Sequence, residues 1–289
     1  MMIGQERFSD INANLSNQLA EKKVLVVVHR GSNGGSIIEN TIPAYAASYQ
    51  EGADMFECDI VGSTDGVLYT CHDGFEQKLF GEKNNIRSMD SSKIDSLLYR
   101  NWLGNVTPCH VQRFEDVLNR FRNGELFNID RSWNDLPKLD ALMRKYPHAL
   151  HQAIIKTPVA EEHLEFFRNC PVKYMYMPIC STMEEVRLVL KETEINTVGV
   201  EMLFQSTDSE MFDLQNIQWI KDQGLLAWAN AIDMGSKHNL SAGHTDTKAI
   251  AEDPDASWGK LMERGYNVIQ TDWPSLLSQY RNQRLGRNC

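Results

Sequence analysis

Residues 24–60 read VLVVVHRGSNGGSIIENTIPAYAASYQEGADMFECDI. The run 24–28 is continuously apolar, the pattern of a strand buried on both faces in a parallel sheet covered by helices. Residues 41–51 carry a helical pattern, and 54–60 read as a second strand. Strand, crossover helix and strand in so short a stretch make a βαβ unit, which implies a parallel sheet.

Outward from that unit the rhythm recurs. Principal strands are expected at 24–28, 54–60, 126–130, 152–156, 173–178, 198–202, 225–229 and 267–271. Helices are expected between them at 41–51, 114–122, 136–145, 160–168, 183–191, 209–223 and 258–264. Eight βα units in about 250 residues have the size and order of a closed (β/α)8 TIM barrel, an α/β fold. An open doubly wound sheet would want a G-x-G-x-x-G turn opening a helix, and the chain has none. Behind the turn signal Asp65-Gly66, residues 67–71 read as a short extended return. Residues 74–111 are loop-rich with one helical piece near 91–98, and 5–22 read as a helix closing the bottom of the barrel. A single domain over 1–289 is expected.

Composition narrows the partners. Charge arithmetic gives 29 basic minus 39 acidic residues, or −10. Such a surface repels nucleic acid and anionic lipid, so a small-molecule partner is expected instead. No run approaches the roughly 20 apolar residues of a membrane span, which excludes stable insertion as a helix. The polar start, MMIGQERFSDINANLSNQLA, lacks the apolar centre of a signal peptide, so a cytoplasmic location is expected. The six cysteines are scattered without a CxxC pair, which argues against a zinc knuckle or redox dithiol. Nothing in the pattern specifies an oligomeric state.

In a barrel of this kind the chemistry sits where strands end. The first strand ends His29-Arg30-Gly31, the second carries Glu57 and Asp59, and the return segment ends His72-Asp73. The later strand ends supply Asp130, Lys156, Glu201, Trp228 with Asn230, and Asp272. Glu57 and Asp59, two apart on a strand, share one face. Side by side without a counterion they would repel, and one would hold its proton. A hard divalent cation resolves that by taking oxygen ligands from both, with Asp130 as a third. Two histidines flank the carboxylate strand, and an imidazole near neutrality serves as base for one oxygen and acid for another. Arg30 offers a fork of donors suited to phosphate, or a salt bridge to Glu39, and the two roles can coexist. Trp228 reads either as a cover for a substrate face at the mouth or as core. Glu201 reads as ligand, substrate contact or ion-pair partner.

These residues form a recurring pattern. His29-Arg30-Gly31, Glu39-Asn40-Thr41, Gly52-Ala53-Asp54, Glu57-x-Asp59, Asp65-Gly66 and His72-Asp73 resemble the motifs of the glycerophosphodiester phosphodiesterase family. Residues 113–118 and the closing Gly265, Thr271-Asp272 and Pro274 are similar as well, so the resemblance spans about 24–280. It implies a TIM barrel with a small insertion after the second strand, at 74–111. It also implies cation-dependent cleavage, with Mg2+ or Ca2+, of a glycerophosphodiester to an alcohol and glycerol 3-phosphate. Carried over position by position, His29 and His72 become the acid–base pair, Glu57 and Asp59 metal ligands, and Arg30 a phosphate contact.

The family ends its third strand Glu-x-Lys, where this chain has Asp130-Arg131-Ser132. The carboxylate is one methylene shorter, and the lysine is absent. Lys156 is the expected replacement beside the phosphate, and Trp228 and Asn230 are expected on the alcohol side. The long loop 233–255, with His238 and His244, reads as a specificity-setting lid. Two other readings compete: a phospholipase acting on a lipid headgroup, which would want an exposed apolar rim, and an inactive barrel that only holds a phosphorylated ligand.

Overall fold

The computed structural model describes residues 2–235 and 239–287. The apolar runs become eight parallel strands: β1 (Leu25–Val28), β2 (Met55–Gly62), β3 (Leu126–Asp130), β4 (Ala153–Pro158), β5 (Met175–Cys180), β6 (Gly199–Met202), β7 (Leu226–Asn230) and β8 (Val268–Thr271). Each pairs in parallel with the next, and β8 returns to β1, so the barrel is closed and has no free edge. The expected (β/α)8 architecture is the one observed.

The floor of the barrel is apolar. Leu25, Met55, Leu126, Met175, Leu226 and Val268 each open a strand, and they meet Leu15 and Leu19 of the helix Ser9–Lys22. Asn12 on that helix exchanges two side-chain hydrogen bonds of 2.9 Å with Asn196, which sets its rotation. With one end filled by hydrocarbon, the polar residues of the strands collect toward the other end. Outside the barrel, Tyr45 of the helix Ile42–Gln50 stacks on Phe56 at 4.2 Å, and Phe56 stacks on Phe127 at 5.5 Å. Aromatic pairs in this range add about 0.5–1.5 kcal/mol beyond their area burial. They hold β2 and β3 in the register that sets Glu57 beside Asn128 and Asp59 beside Asp130.

β2 is longer than its neighbours and continues past the rim. It turns back at Asp65-Gly66 and pairs antiparallel with Leu68–Thr70, Ile60 opposite Thr70. Residues 74–111 then form short helices at Glu76–Leu79 and Ser91–Asp95 and a hairpin of Leu98–Arg100 with Val106–His110. Ile86, Ile94, Leu97 and Tyr99 are the buried centre of this part. The helical piece expected over 91–98 stops at Asp95, because Leu98 pairs with His110 across the hairpin. Tertiary pairing overrides the local pattern there.

Two further departures have local causes. The helix expected at 209–223 is split into Glu210–Phe212 and Leu214–Asp222. Asp213 between them accepts hydrogen bonds from the Gln215 and Asn216 N–H groups and restarts the helix. The helices Asp246–Ala251 and Pro274–Arg284 were not expected from periodicity; Thr245 caps the first, and Pro274 opens the second. No described helix is long and apolar enough to cross a membrane. Cys58, Cys71, Cys109, Cys170 and Cys180 are free thiols.

Candidate active site

β1 ends in a tight bend. Arg30 has φ 57° and Gly31 φ 74°, both in the left-handed region. A Cβ on Gly31 would lie 2.8–2.9 Å from the backbone and Cβ of Ala44 and from Tyr45, so only glycine fits. Gly31→Ala is therefore expected to destabilise the fold by about 2–4 kcal/mol, combining left-handed strain with overpacking. Urea denaturation would measure it, and an unchanged midpoint would contradict the steric account. The bend aims the Arg30 N–H at Glu57 Oε2 (2.7 Å). It also folds the guanidinium back onto Glu39 Oε1 (2.9 Å) and Asp59 Oδ2 (3.1 Å).

Glu57 and Asp59 are buried and Asp130 half-buried, and one carboxylate oxygen from each lies within 4.8 Å of the others. Asn40 orients Asp59, donating its Nδ2–H to Oδ2 (2.9 Å) and accepting the Asp59 N–H on its own oxygen (3.0 Å). Burial pushes the Glu57 carboxyl well above its usual range, and repulsion from Asp59 and Asp130 adds to the rise. Burial acts the same way on Asp59, but Arg30, His72, the Asn40 hydrogen bond and His29 outweigh it and hold that carboxyl below its ordinary value. The field at Asp59 thus includes both imidazoles. Oxygen donors at this spacing fit one hard divalent cation, whose bonds to oxygen run about 2.0–2.6 Å. Its charge would also offset the burial and the repulsion that raise the Glu57 carboxyl.

Lys156, expected beside the phosphate, is buried against the carboxylate cluster. Its side chain is 1% exposed, with Nζ 3.1 Å from Asp130 Oδ2 and 3.0 Å from Glu201 Oε2. Burial would lower its pKa, but Asp130, Glu201 and Glu57 together raise it, so the ammonium is retained. Glu201 is thereby an ion-pair partner. Trp228, expected at the mouth, is fully buried: its ring lies under Lys156 Nζ at 4.9 Å, and its Nε1–H donates to Asn230 Oδ1 (2.8 Å). Asn230, also buried, donates to Glu201 Oε1 (2.6 Å). The shared burial has one cause. All four point into the barrel from β4, β6 and β7, where closure makes them a continuous polar layer above the apolar floor.

The antiparallel return sets His72, because the Cys71 N–H donates to Asp59 O (3.0 Å). His72 Nδ1 lies 2.7 Å from the Asp73 carbonyl oxygen. A carbonyl only accepts, so Nδ1 carries the proton and Nε2 keeps its lone pair. Burial lowers the His72 pKa; Asp59 pulls against it, and Arg30 and Arg131 reinforce it. Asp73 is clamped by Arg87 (2.9 Å) and Arg131 (2.8 Å). His29 Nδ1 sits 3.0 Å from Asp272 Oδ1. Asp272 is held in turn by Asp246, whose carboxylate accepts the Asp272 N–H, the Thr271 hydroxyl and the Trp258 Nε1–H, each at 2.8 Å. Burial pushes the Asp246 carboxyl up to about 7, against those three donors.

Arg87, Arg131 and Asp246 were missed by the sequence reading. Arg131 had one signal, its place next to Asp130, while Arg87 and Asp246 lie far in number from Asp73 and Asp272 and had none. His244 is buried, stacked on Phe212 at 5.1 Å with Nδ1 on the Ala256 carbonyl, so it is a packing residue and not a substrate contact. His238 lies outside the described residues.

A family model described as a domain of unknown function matches residues 176–281. Among curated proteins, glycerophosphodiester phosphodiesterase GDPD6 of Arabidopsis thaliana is 53% identical over 47 residues, 16% of this chain and 12% of that protein's length. A glycerophosphoryl diester phosphodiesterase from Parabacteroides distasonis superposes with TM-score 0.74 and 16% identity, over 95% of this chain and 92% of the other. The chain has the glycerophosphodiester phosphodiesterase fold. A glycerophosphodiester phosphodiesterase from Agrobacterium tumefaciens matches with TM-score 0.64 and 21% identity, over 90% of this chain and 99% of the other. A phosphodiesterase from Oleispira antarctica, solved with the product sn-glycerol-3-phosphate, matches with TM-score 0.63 and 14% identity, over 91% and 99%. Within the glycerophosphodiester phosphodiesterase fold, this chain gathers His29, Arg30, Glu57, Asp59, His72 and Asp130 at one end of the barrel. Lys156, Trp228 and Asn230 lie beneath them.

Proposed function

We propose that this chain hydrolyses a glycerophosphodiester to an alcohol and glycerol 3-phosphate, using one divalent cation, Mg2+ or Ca2+. One observation carries the reading: three carboxylates within 4.8 Å of one another, in the field of two imidazoles and an arginine. In it, residues 1–289 act as one phosphodiesterase domain, with 74–111 as an insertion and 5–22 closing the bottom.

Glu57, Asp59 and Asp130 would hold the cation, which supplies Lewis-acid neutralisation of the non-bridging phosphate oxygens. Arg30, fixed by Glu39 and Asp59, turns its remaining N–H groups toward the same oxygens, where added charge in the transition state strengthens the contact. His72 is the base. Its Nε2 lone pair is free, and burial and two arginines keep the ring neutral. His29 is the acid, its ring oriented by the Asp272 carboxylate at Nδ1. It delivers a proton to the leaving alcohol oxygen from Nε2. Lys156 acts one layer down, balancing the charge of Asp130 and Glu201.

The test is release of glycerol 3-phosphate from glycerophosphocholine. Turnover is expected to vanish with a chelator and return with Mg2+ or Ca2+. Binding of glycerol 3-phosphate with no turnover, across a panel of diesters and metals, would instead support an inactive binding barrel.

A further inference from the structure

The pair of His29 and Asp272 sits on a part of the rim that its own packing does not hold. The Asp272 side chain is 40% exposed, and its neighbour Trp273 is 54% exposed. A carboxylate on so open a segment is free to swing, and a catalytic group loses much of its effect when it is poorly aligned. What fixes this segment comes from below. Asp246, 2% exposed, opens the short helix Asp246–Ala251, and its N–H donates to the Ala231 carbonyl just past β7. Its Oδ2 accepts the Asp272 N–H, and its Oδ1 accepts the Thr271 hydroxyl and the Trp258 Nε1–H, each at 2.8 Å. The Thr271 hydroxyl oxygen accepts the Trp273 N–H in turn (2.9 Å). Three successive residues at the end of β8 therefore hang on one carboxylate.

Trp258 reaches that carboxylate from a π-helical turn, Asp255–Gly259, in which the Gly259 N–H bonds back to the Pro254 carbonyl (2.9 Å). Turns of this kind are rare and recur at functional sites. A carboxylate is also an expensive choice at this position. Asp246 is buried, and among the described residues no lysine or arginine forms an ion pair with it. An anion in such surroundings is unfavourable unless hydrogen bonds replace the lost water. Asparagine, its neutral isostere, would satisfy only part of the set. Its one oxygen can serve Thr271 and Trp258, but its NH2 would then face the Asp272 N–H, donor against donor. The contact that only the acid adds to the other two is the one to Asp272.

We infer that Asp246 is a positioning residue for the acid step: it fixes the Asp272 backbone, so that the Asp272 carboxylate holds His29 aimed at the leaving oxygen. The inference rests on the phosphodiesterase reading above. In that step the P–O bond to the alcohol breaks and its electron pair stays on the alcohol oxygen. The proton on His29 Nε2 passes to that oxygen. A nitrophenolate leaves as a stable anion and needs no such proton, so its departure does not depend on how His29 is held.

The experiment measures kcat and KM for glycerophosphocholine and for the p-nitrophenyl ester of glycerol 3-phosphate. Asp246→Asn is expected to lower kcat for glycerophosphocholine about tenfold at unchanged KM, the mark of a misaligned catalytic group. On the nitrophenyl ester the same variant should stay within about twofold of the parent, because no proton has to be delivered. His29→Ala should show the same selectivity with a larger factor. Added to His29→Ala, Asp246→Asn should cause no further loss, since the two act through one group. Equal losses on both substrates, a further loss in the His29→Ala background, or an unchanged kcat on both would each overturn the inference. Should Asp246→Asn fail to fold, hydrogen exchange in the parent decides. The Asp272 amide is expected to be protected despite its exposed position, and free exchange there overturns the inference. If His29→Ala loses equally on both substrates, the acid role of His29 falls and this inference with it. No turnover of either substrate by the parent removes the phosphodiesterase reading itself.

Discussion

Replacing His72 with alanine is expected to lower kcat/KM for glycerophosphocholine by at least about 100-fold, the usual contribution of a positioned general base. His72 has its Nδ1 proton on the Asp73 carbonyl and its Nε2 free, whereas His29 is held at Nδ1 by the Asp272 carboxylate. The variant should bind Mg2+ or Ca2+ nearly as well as the parent, because the carboxylates that would hold the ion are untouched; calorimetric titration measures this. Wild-type turnover would refute the assignment, and loss of metal binding would recast His72 as a ligand. The pH profile adds a sign. The folded-state pKa of His72 lies below its ordinary value, with burial the first cause. The base therefore stays deprotonated down to a more acid pH than free imidazole, and activity falls only as pH drops through that lowered pKa. In His72→Ala the acid limb should disappear. His29→Ala should lose a comparable factor, and Asp272→Asn a smaller one, since Asp272 orients His29 without touching substrate.

Lys156→Met is expected to be the most destabilising single change in the barrel interior, at about 3–5 kcal/mol, the cost of breaking a buried ion pair from one side. Its ammonium lies 3.1 Å from Asp130 and 3.0 Å from Glu201, and methionine of similar length would leave both carboxylates facing hydrocarbon and each other. The lysine pKa is raised in the folded state, so its contribution is fully present at neutral pH and is lost only as pH rises beyond the unfolded lysine value. Adding Glu201→Gln should recover much of the loss, because the amide removes one unbalanced charge. Urea denaturation of the two variants at pH 7 makes the comparison. A single variant as stable as the parent would mean that the ammonium does not balance those carboxylates.

The pairing of Glu57 with Asp59 was legible in the sequence because strand geometry repeats every two residues, and only a strand position was needed to put both on one face. His29 and Arg30 were legible for a similar reason, since a buried strand ending in polar residues marks a rim. The short return at 67–71 was legible from Asp65-Gly66, and it brings His72 to Asp59. The layer of Lys156, Glu201, Trp228 and Asn230 was legible only as alternatives: Glu201 as ligand, substrate contact or ion-pair partner, and Trp228 as mouth or core. These residues come from three different strands, and each strand end by itself looks like a mouth. Whether a residue near the end of a short strand sits at the rim or one layer below depends on the stagger of the closed barrel. That stagger is a property of all eight strands together. Arg87, which ties the insertion to Asp73, Asp135 and the Arg131 carbonyl, is likewise meaningful only once residues 74–111 have folded back over the rim.

Local pattern alone determined the strands, their order, the closed barrel and the identity of the acidic and imidazole groups, because each follows from a period or turn signal within a few residues. Only the tertiary structure decided which charges gather at the rim and which are neutralised inside. Those depend on distances between segments far apart in the chain. The free energy of a buried charge or an exposed tryptophan is set by its surroundings, and these exist only after the barrel has closed.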